Sequence, residues 1–141
     1  MNVLFVCRAN LGRSQMARAL FNRLSQYESG SAGIGVAERE GQTVAQSAKE
    51  SPSVALVMEL MDEEGLDISS ERRTQLTPKL VSAADKVIVM AQRESWPGYL
   101  VEGGKVAFWD IADPVNMPKD AARAIKNQIK AKVEGLVRGT G

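Results

Sequence analysis

The sequence predicts an α/β fold, a three-layer sandwich with a central four-stranded parallel sheet flanked by helices. Three observations carry this expectation. Short, nearly continuous apolar runs, as in strands covered on both faces, alternate with longer segments whose apolar residues recur every three to four positions. The first such run passes through a tight loop directly into a helix, which is the opening of a βαβ unit. Finally, 141 residues, 44% apolar and 25% charged, suit one domain large enough to bury its own core.

Asn2 to Val6 reads as the first strand. The helix from Ser14 to about Tyr27 places Ala17, Leu20, Phe21, Leu24 and Tyr27 along one stripe. Ser29-Gly30-Ser31-Ala32-Gly33 begins a weak second strand that fades into Gly35 to Glu50, a stretch without clear periodicity that reads as a mobile loop or a marginal helix. Ser51-Pro52 is a helix start, a capping serine followed by proline at the first helical position; Val54, Val57, Met58 and Met61 form the apolar face and Gly65 stops it. Thr77-Pro78 starts a short helix toward Ala84.

Asp85 to Ala91 is the clearest strand, β-branched and apolar between polar residues. Gln92 to Gly104 is a connection whose Trp96-Pro97-Gly98-Tyr99 turn puts aromatics over the core or edge. Lys105 to Ile111 is the last strand, and Pro118 and Asp120 open a terminal helix with Ala122, Ile125, Ile129, Val133 and Leu136 at helical spacing. Strands alternating with helices in this way require a parallel sheet.

Composition narrows the function. The net charge is +1, from 18 basic and 17 acidic residues, so no global field favours nucleic acid or an acidic membrane. Charge is uneven: Glu59 to Glu71 is acidic and Lys119 to Arg138 basic, each expected to be the solvated face of a helix. No run approaches bilayer-spanning length and Met1-Asn2-Val3-Leu4 has no leader pattern, so the expected location is the cytoplasm. One cysteine forbids an internal disulfide. The absence of histidine removes Ser-His-Asp and Cys-His pairs and leaves zinc a poor ligand set, so no metal or cofactor is expected.

The chemistry concentrates in Cys7-Arg8-Ala9-Asn10-Leu11-Gly12-Arg13-Ser14. A thiol needs an electropositive setting to ionise, and a helix N-terminus provides unpaired amides and the positive end of the peptide dipoles. A loop over that end can hold a tetrahedral oxyanion, with Arg13 adding a planar fork of donors and Cys7 facing the phosphorus. Ser14 is placed either to cap the helix or to donate its hydroxyl to the thiolate. A lone cysteine is also an ordinary core residue, so the spacing alone leaves both readings open.

The segment from Val3 to Leu20 resembles the low-molecular-weight protein phosphatase and arsenate reductase family, whose loop reads Cys, five residues, Arg, Ser. The resemblance implies that residues 1–141 form a single domain of this kind, that Cys7 and Arg13 are catalytic, and that Arg8, Ala9, Asn10, Leu11, Gly12, Arg13 and Ser14 bind phosphate. Ser31-Ala32-Gly33 looks like the family's second-strand signature, in which the serine supports the loop asparagine; Asn10, Ser14 and Ser31 are the implied loop supports. The first and last strands open on one sheet edge, where ligands of such sheets bind, and this brings Asp113 toward Cys7. Asp113-Pro114 matches the family's Asp-Pro pair, so Asp113 is the expected acid and base, with Asp110 second because it lies within the strand.

The chain also departs from its relatives. Ala9 stands where the tyrosine phosphatases usually have glycine, and Gly12 where they have a second cysteine. Ala9 is therefore expected at negative φ, with Asn10 taking any left-handed position. Without the second cysteine, Cys7 is expected to oxidise irreversibly more readily. Glu71 occupies the usual place of a histidine. Val115 and Asn116 follow the Asp-Pro where phosphotyrosine-specific members have aromatics, so an aryl ring would rest on Leu11 and on the 35–50 segment. Arg8 either recruits anionic substrates or lies in solvent.

The resemblance implies a metal-free phosphomonoesterase working through a cysteinyl phosphate, acting on a phosphorylated protein, at tyrosine in the family's manner, or on a small aryl phosphate. Thiol-coupled arsenate reduction is the alternative and would need an external thiol, since Cys7 is the only cysteine. A non-catalytic phosphate-binding module is the third.

Overall fold

The computed structural model describes residues 1–140. Four strands, β1 (Asn2–Cys7), β2 (Glu28–Gly33), β3 (Lys86–Val89) and β4 (Val106–Phe108), form one sheet in the order β2-β1-β3-β4, every pair parallel. The helices are α1 (Arg13–Leu24), α2 (Val44–Ala48), α3 (Pro52–Glu63), α4 (Pro78–Ala83) and α5 (Lys119–Thr140). The three-layer sandwich with a central four-stranded parallel sheet is thus the observed architecture.

Alternation along β1 divides the core. Val3 and Phe5 pack with Met16, Leu20 and Phe21 of α1 and Ile129 and Val133 of α5, while Leu4 and Val6 face Val81 of α4, Leu76 and Leu100. Both faces are sealed, which is why the strand reads as an unbroken apolar run. β1 is flanked by β2 on one side and β3 on the other, so the chain reverses its direction of travel across the sheet at the end of β1. Such a switch point opens a crevice beyond the strand ends.

Several elements differ from expectation. α1 ends at Leu24, because Ser25 turns extended while its N–H still bonds Phe21 O, and Leu24 is exposed. β3 and β4 are shorter than the apolar runs that announced them; beyond Phe108 only the Trp109 N–H still reaches Val89 O. On α3, Leu60 is fully buried and Met58 only partly. The 35–50 segment contains a 3₁₀ turn (Ala37–Arg39) and α2, started by a Thr43–Gln46 capping box. It is tied to residues 69–73 by Val44 N–H to Glu71 O, Ala45 N–H to Ser69 O and Arg73 N–H to Gln42 O.

The two charged faces are not separate solvated surfaces. Lys119 and Arg123 of α5 pair with Glu59 and Glu63 of α3, and Lys126 and Lys130 converge on Glu64, its C-terminal neighbour. Acidic and basic runs distant in sequence neutralise each other because α3 and α5 pack side by side on the same face of the sheet. No helix among the described residues is long and apolar enough to cross a membrane.

Candidate active site

β1 delivers Cys7 to the sheet edge, and residues 8–12 wrap over the start of α1. Gly12 is the helix N-cap and makes no side-chain cap. The amides of the first turn, ahead of the Met16 N–H that bonds Gly12 O, have no helical carbonyl to accept them, which leaves them for an anion. Asn10 adopts φ 58°, and Ala9 is not among the residues with positive φ, as the sequence led us to expect. Left-handed backbone at Asn10 costs less than at alanine because its short polar side chain bonds locally.

Those local bonds organise the nucleophile. Asn10 Nδ2 donates to Ser14 Oγ at 2.8 Å, and Ser14 Oγ lies 3.0 Å from Cys7 Sγ. Ser14 Oγ already accepts from Asn10, and toward an ionised sulfur its hydroxyl can only donate. Ser14 makes no helix cap; its hydroxyl lies against the sulfur, the position that donation to a thiolate requires.

Asn10 Oδ1 accepts the Thr74 N–H at 2.8 Å, and Asn10 O accepts Gln15 Nε2 at 3.1 Å. Ser31, expected to hold Asn10, makes no such bond: it pairs with Phe5 along β2, and Ser14 and Thr74 hold the asparagine instead. What this strand contributes is Gly33. A Cβ there would fall 2.7 Å from Arg8 O and 2.9 Å from Asn10 N, so only glycine lets β2 approach the loop. Ile34 N–H and Gly35 N–H then satisfy Cys7 O and Arg8 O.

Arg13 is buried, and its Nη1 donates to Met90 O at 2.6 Å and Ile111 O at 3.0 Å, just past the ends of β3 and β4. Its Nη2 stands 3.7 Å from Asp113 Oδ2. Asp113 itself accepts the Val115 N–H through Oδ1, an Asx turn that fixes the carboxylate, and Asn116 N–H bonds Ser53 Oγ to anchor this loop on α3.

A cavity of about 400 Å³ is lined by Cys7, Ala9, Leu11, Gly12, Arg13 and Asp113. Its apolar lining is Leu11, Val54, Val57, Pro114 and Val115. The 35–50 segment, expected to help seat a ring, instead supplies polar groups, Arg39, Gln42, Ser47 and Glu50. Asn10 and Ser14 lie beneath this surface, fully buried. Arg8 is exposed and outside the lining, which leaves its side chain in solvent, and Asp110 is also absent from it. Among the described residues no cluster of three or more His, Cys, Asp or Glu could hold a metal.

One residue went unnoticed in the sequence. Arg73 is buried in the same lining, donating from Nε to Ala9 O at 3.1 Å and from Nη1 to Gln42 Oε1 at 2.9 Å. Burial and the charge of Arg39 push its guanidinium down from the usual arginine range, while the Cys7 charge pulls it up. The tandem Arg72-Arg73, after an acidic stretch, was the available signal.

Comparison with known proteins adds independent observations. The family model described as low molecular weight phosphotyrosine protein phosphatase matches residues 2–96. A probable low molecular weight protein-tyrosine-phosphatase, EpsP from Ralstonia nicotianae, is 32% identical over 145 aligned positions, 96% of this chain and 92% of the relative. A low molecular weight protein tyrosine phosphatase from T. tengcongensis superposes with a TM-score of 0.80 at 26% identity, covering 99% of each chain. A thioredoxin-dependent arsenate reductase from Corynebacterium glutamicum superposes at 0.68 with 27% identity, covering 98% of this chain and 60% of that one.

Proposed function

The chain belongs to the low molecular weight phosphotyrosine protein phosphatase family, and from that premise we propose that it hydrolyses aryl phosphomonoesters, phosphotyrosine in proteins foremost, through a cysteinyl phosphate. The observation that carries this reading is that one cavity is lined at once by Cys7, Arg13 and Asp113. Asp113 lies beyond the matched residues 2–96, so its role rests on that convergence.

In the first step the Cys7 thiolate attacks phosphorus and an S–P bond forms as the ester P–O bond breaks. The departing oxygen takes the proton of the Asp113 carboxyl group. Loop amides and Arg13 hold the equatorial oxygens, where charge develops in the transition state. In the second step Asp113, now a carboxylate, removes a proton from water; the water oxygen bonds to phosphorus, the S–P bond breaks, and inorganic phosphate leaves with the thiolate restored. Ser14, 3.0 Å from Sγ, donates to that thiolate in both directions. The aliphatic lining of Leu11, Val54, Val57, Pro114 and Val115 suits a flat apolar leaving group.

The test is hydrolysis of para-nitrophenyl phosphate by the parent protein and by Cys7→Ser, with mass spectrometry of an acid-quenched Asp113→Ala reaction for phosphate on Cys7. Loss of turnover in Cys7→Ser and a phosphorylated Cys7 are expected; turnover retained in Cys7→Ser refutes the reading. The similarity to an arsenate reductase favours a second reading, arsenate binding in the same loop. Cys7 is the only cysteine, so an external thiol would have to supply the electrons, and arsenite should form only when one is added.

A further inference from the structure

Among the described residues the buried cations are Arg13, Lys126 and Arg73. Two have carboxylate partners: Asp113 lies 3.7 Å from Arg13, and Glu64 lies 2.8 Å from Lys126. Arg73, only 4% exposed, forms no ion pair among the described residues, and both groups it donates to, Ala9 O and Gln42 Oε1, are neutral. The Cys7 charge acts on it from across the loop, but no carboxylate pairs with it, and a buried guanidinium without an ion-pair partner of its own is an arrangement that a further anion completes.

Three features say which anion. First, the loop amides and Arg13 already surround the phosphoryl position, while Arg73 Nε is spent on Ala9 O, so Arg73 stands beside the loop as a further cation. Second, Arg39 lines the same cavity, also without an ion pair among the described residues, and acts on Arg73 electrostatically. Like charges brought together without a carboxylate between them mark a place for a negative group. Third, Arg39 is exposed, so this part of the cavity reaches the rim, where chain flanking a phosphorylated residue must pass. Glu50 lines the cavity as well but pairs with neither arginine.

We infer that Arg73 and Arg39 form a second anion subsite beside the phosphate loop, and that it takes a carboxylate side chain next to the phosphorylated residue of an acidic peptide. The subsite rests on the phosphatase reading and narrows its substrates to acidic phosphopeptides. Selection at this point is local, since a net charge of +1 gives the protein no long-range pull on acidic chains.

Two phosphotyrosyl peptides of one sequence, flanked by glutamate or by glutamine, provide the test. The parent protein should prefer the glutamate peptide by about tenfold in kcat/KM, and Cys7→Ser should show the same ratio in Kd by calorimetry. In Arg39→Gln and in Arg73→Gln the ratio should fall toward one, whatever happens to the absolute rates. Equal ratios in the parent and both variants, or an equal loss on both peptides in Arg73→Gln, would overturn the subsite; the second outcome would assign Arg73 to the loop alone. Failure of Cys7→Ser to bind either peptide would overturn it too. The phosphatase reading fails separately, if the parent protein does not turn over para-nitrophenyl phosphate.

Discussion

Asp113 Oδ2 lies 3.7 Å from Nη2 of Arg13, whose Nη1 is held by the carbonyls that follow β3 and β4. The same guanidinium thus ties the loop after the last strand to the start of α1 and faces the carboxylate that this loop carries. Asp113 is about half exposed, which leaves its carboxylate open to the cavity and to water.

If Asp113 protonates the leaving oxygen, Asp113→Asn should lower kcat for phenyl phosphate by about 10²–10⁴-fold. The loss should shrink as the phenol becomes more acidic, because a good leaving group needs no proton. Rates across a series of substituted aryl phosphates check this; a loss independent of the leaving group would mean that Asp113 only positions Arg13.

Ser14→Ala removes the hydroxyl 3.0 Å from Cys7 Sγ and the acceptor of Asn10 Nδ2 together. Alkylation of Cys7 by iodoacetamide at neutral pH should slow by roughly tenfold, since a charge-assisted bond to the thiolate contributes about 1.5 kcal/mol. Ser14→Thr, which keeps the hydroxyl, should recover most of the rate.

Glycine matters at position 33 and not at position 12. Gly33→Ala puts a methyl carbon 2.7 Å from Arg8 O, so the loop must shift: we expect about 1–3 kcal/mol of destabilisation in urea and loss of phosphate affinity. Gly12 has φ −120°, and its nearest neighbour to an added Cβ is Pro114 at 3.8 Å. Gly12→Ala should change stability by less than about 0.5 kcal/mol.

Glu64 accepts from Lys126, Lys130 and Arg23, and these bonds, Lys126 first, hold its carboxyl at about 2 against an ordinary value of 4.5. A carboxyl whose folded value is depressed stabilises the fold above its unfolded value and loses that contribution as pH falls through the folded one. Urea midpoints should therefore decline between about pH 4.5 and pH 2. Glu64→Gln should flatten that window and be less stable at pH 7, because it leaves Lys126 buried without a partner.

Much of this architecture was written locally. The run from Asn2 to Cys7, the loop, and the stripe of Ala17, Leu20 and Phe21 are signals that neighbours in the chain create for one another, and the structure reproduces them. Asn10 at φ 58° follows from the conformational cost of each side chain in the loop, a property of single residues. The Thr43–Gln46 capping box was equally local, but the polar stretch around it has no period to draw attention to it.

Other features depend on residues far apart in sequence. Ser31 was given a partner by resemblance, whereas Thr74, 64 positions from Asn10, holds the asparagine. Glu59 to Glu71 and Lys119 to Arg138 looked like two solvated faces until helix packing set Glu59, Glu63 and Glu64 against Lys119, Arg123, Lys126 and Lys130. The tandem Arg72-Arg73 did not say which of the two is buried, because a guanidinium's surroundings depend on which loops close over it.

The sequence by itself determined the parallel α/β order, the place of Cys7 at a strand-to-helix turn, and the need for electrostatic activation in a chain without histidine. Hydrophobic period, backbone cost and residue inventory are all local quantities. Only the tertiary structure decided what surrounds that cysteine: Ser14 at the sulfur, Asp113 against Arg13, and Arg73 buried without a carboxylate. Electrostatic energy depends on distance and burial, and both exist only once the chain has folded.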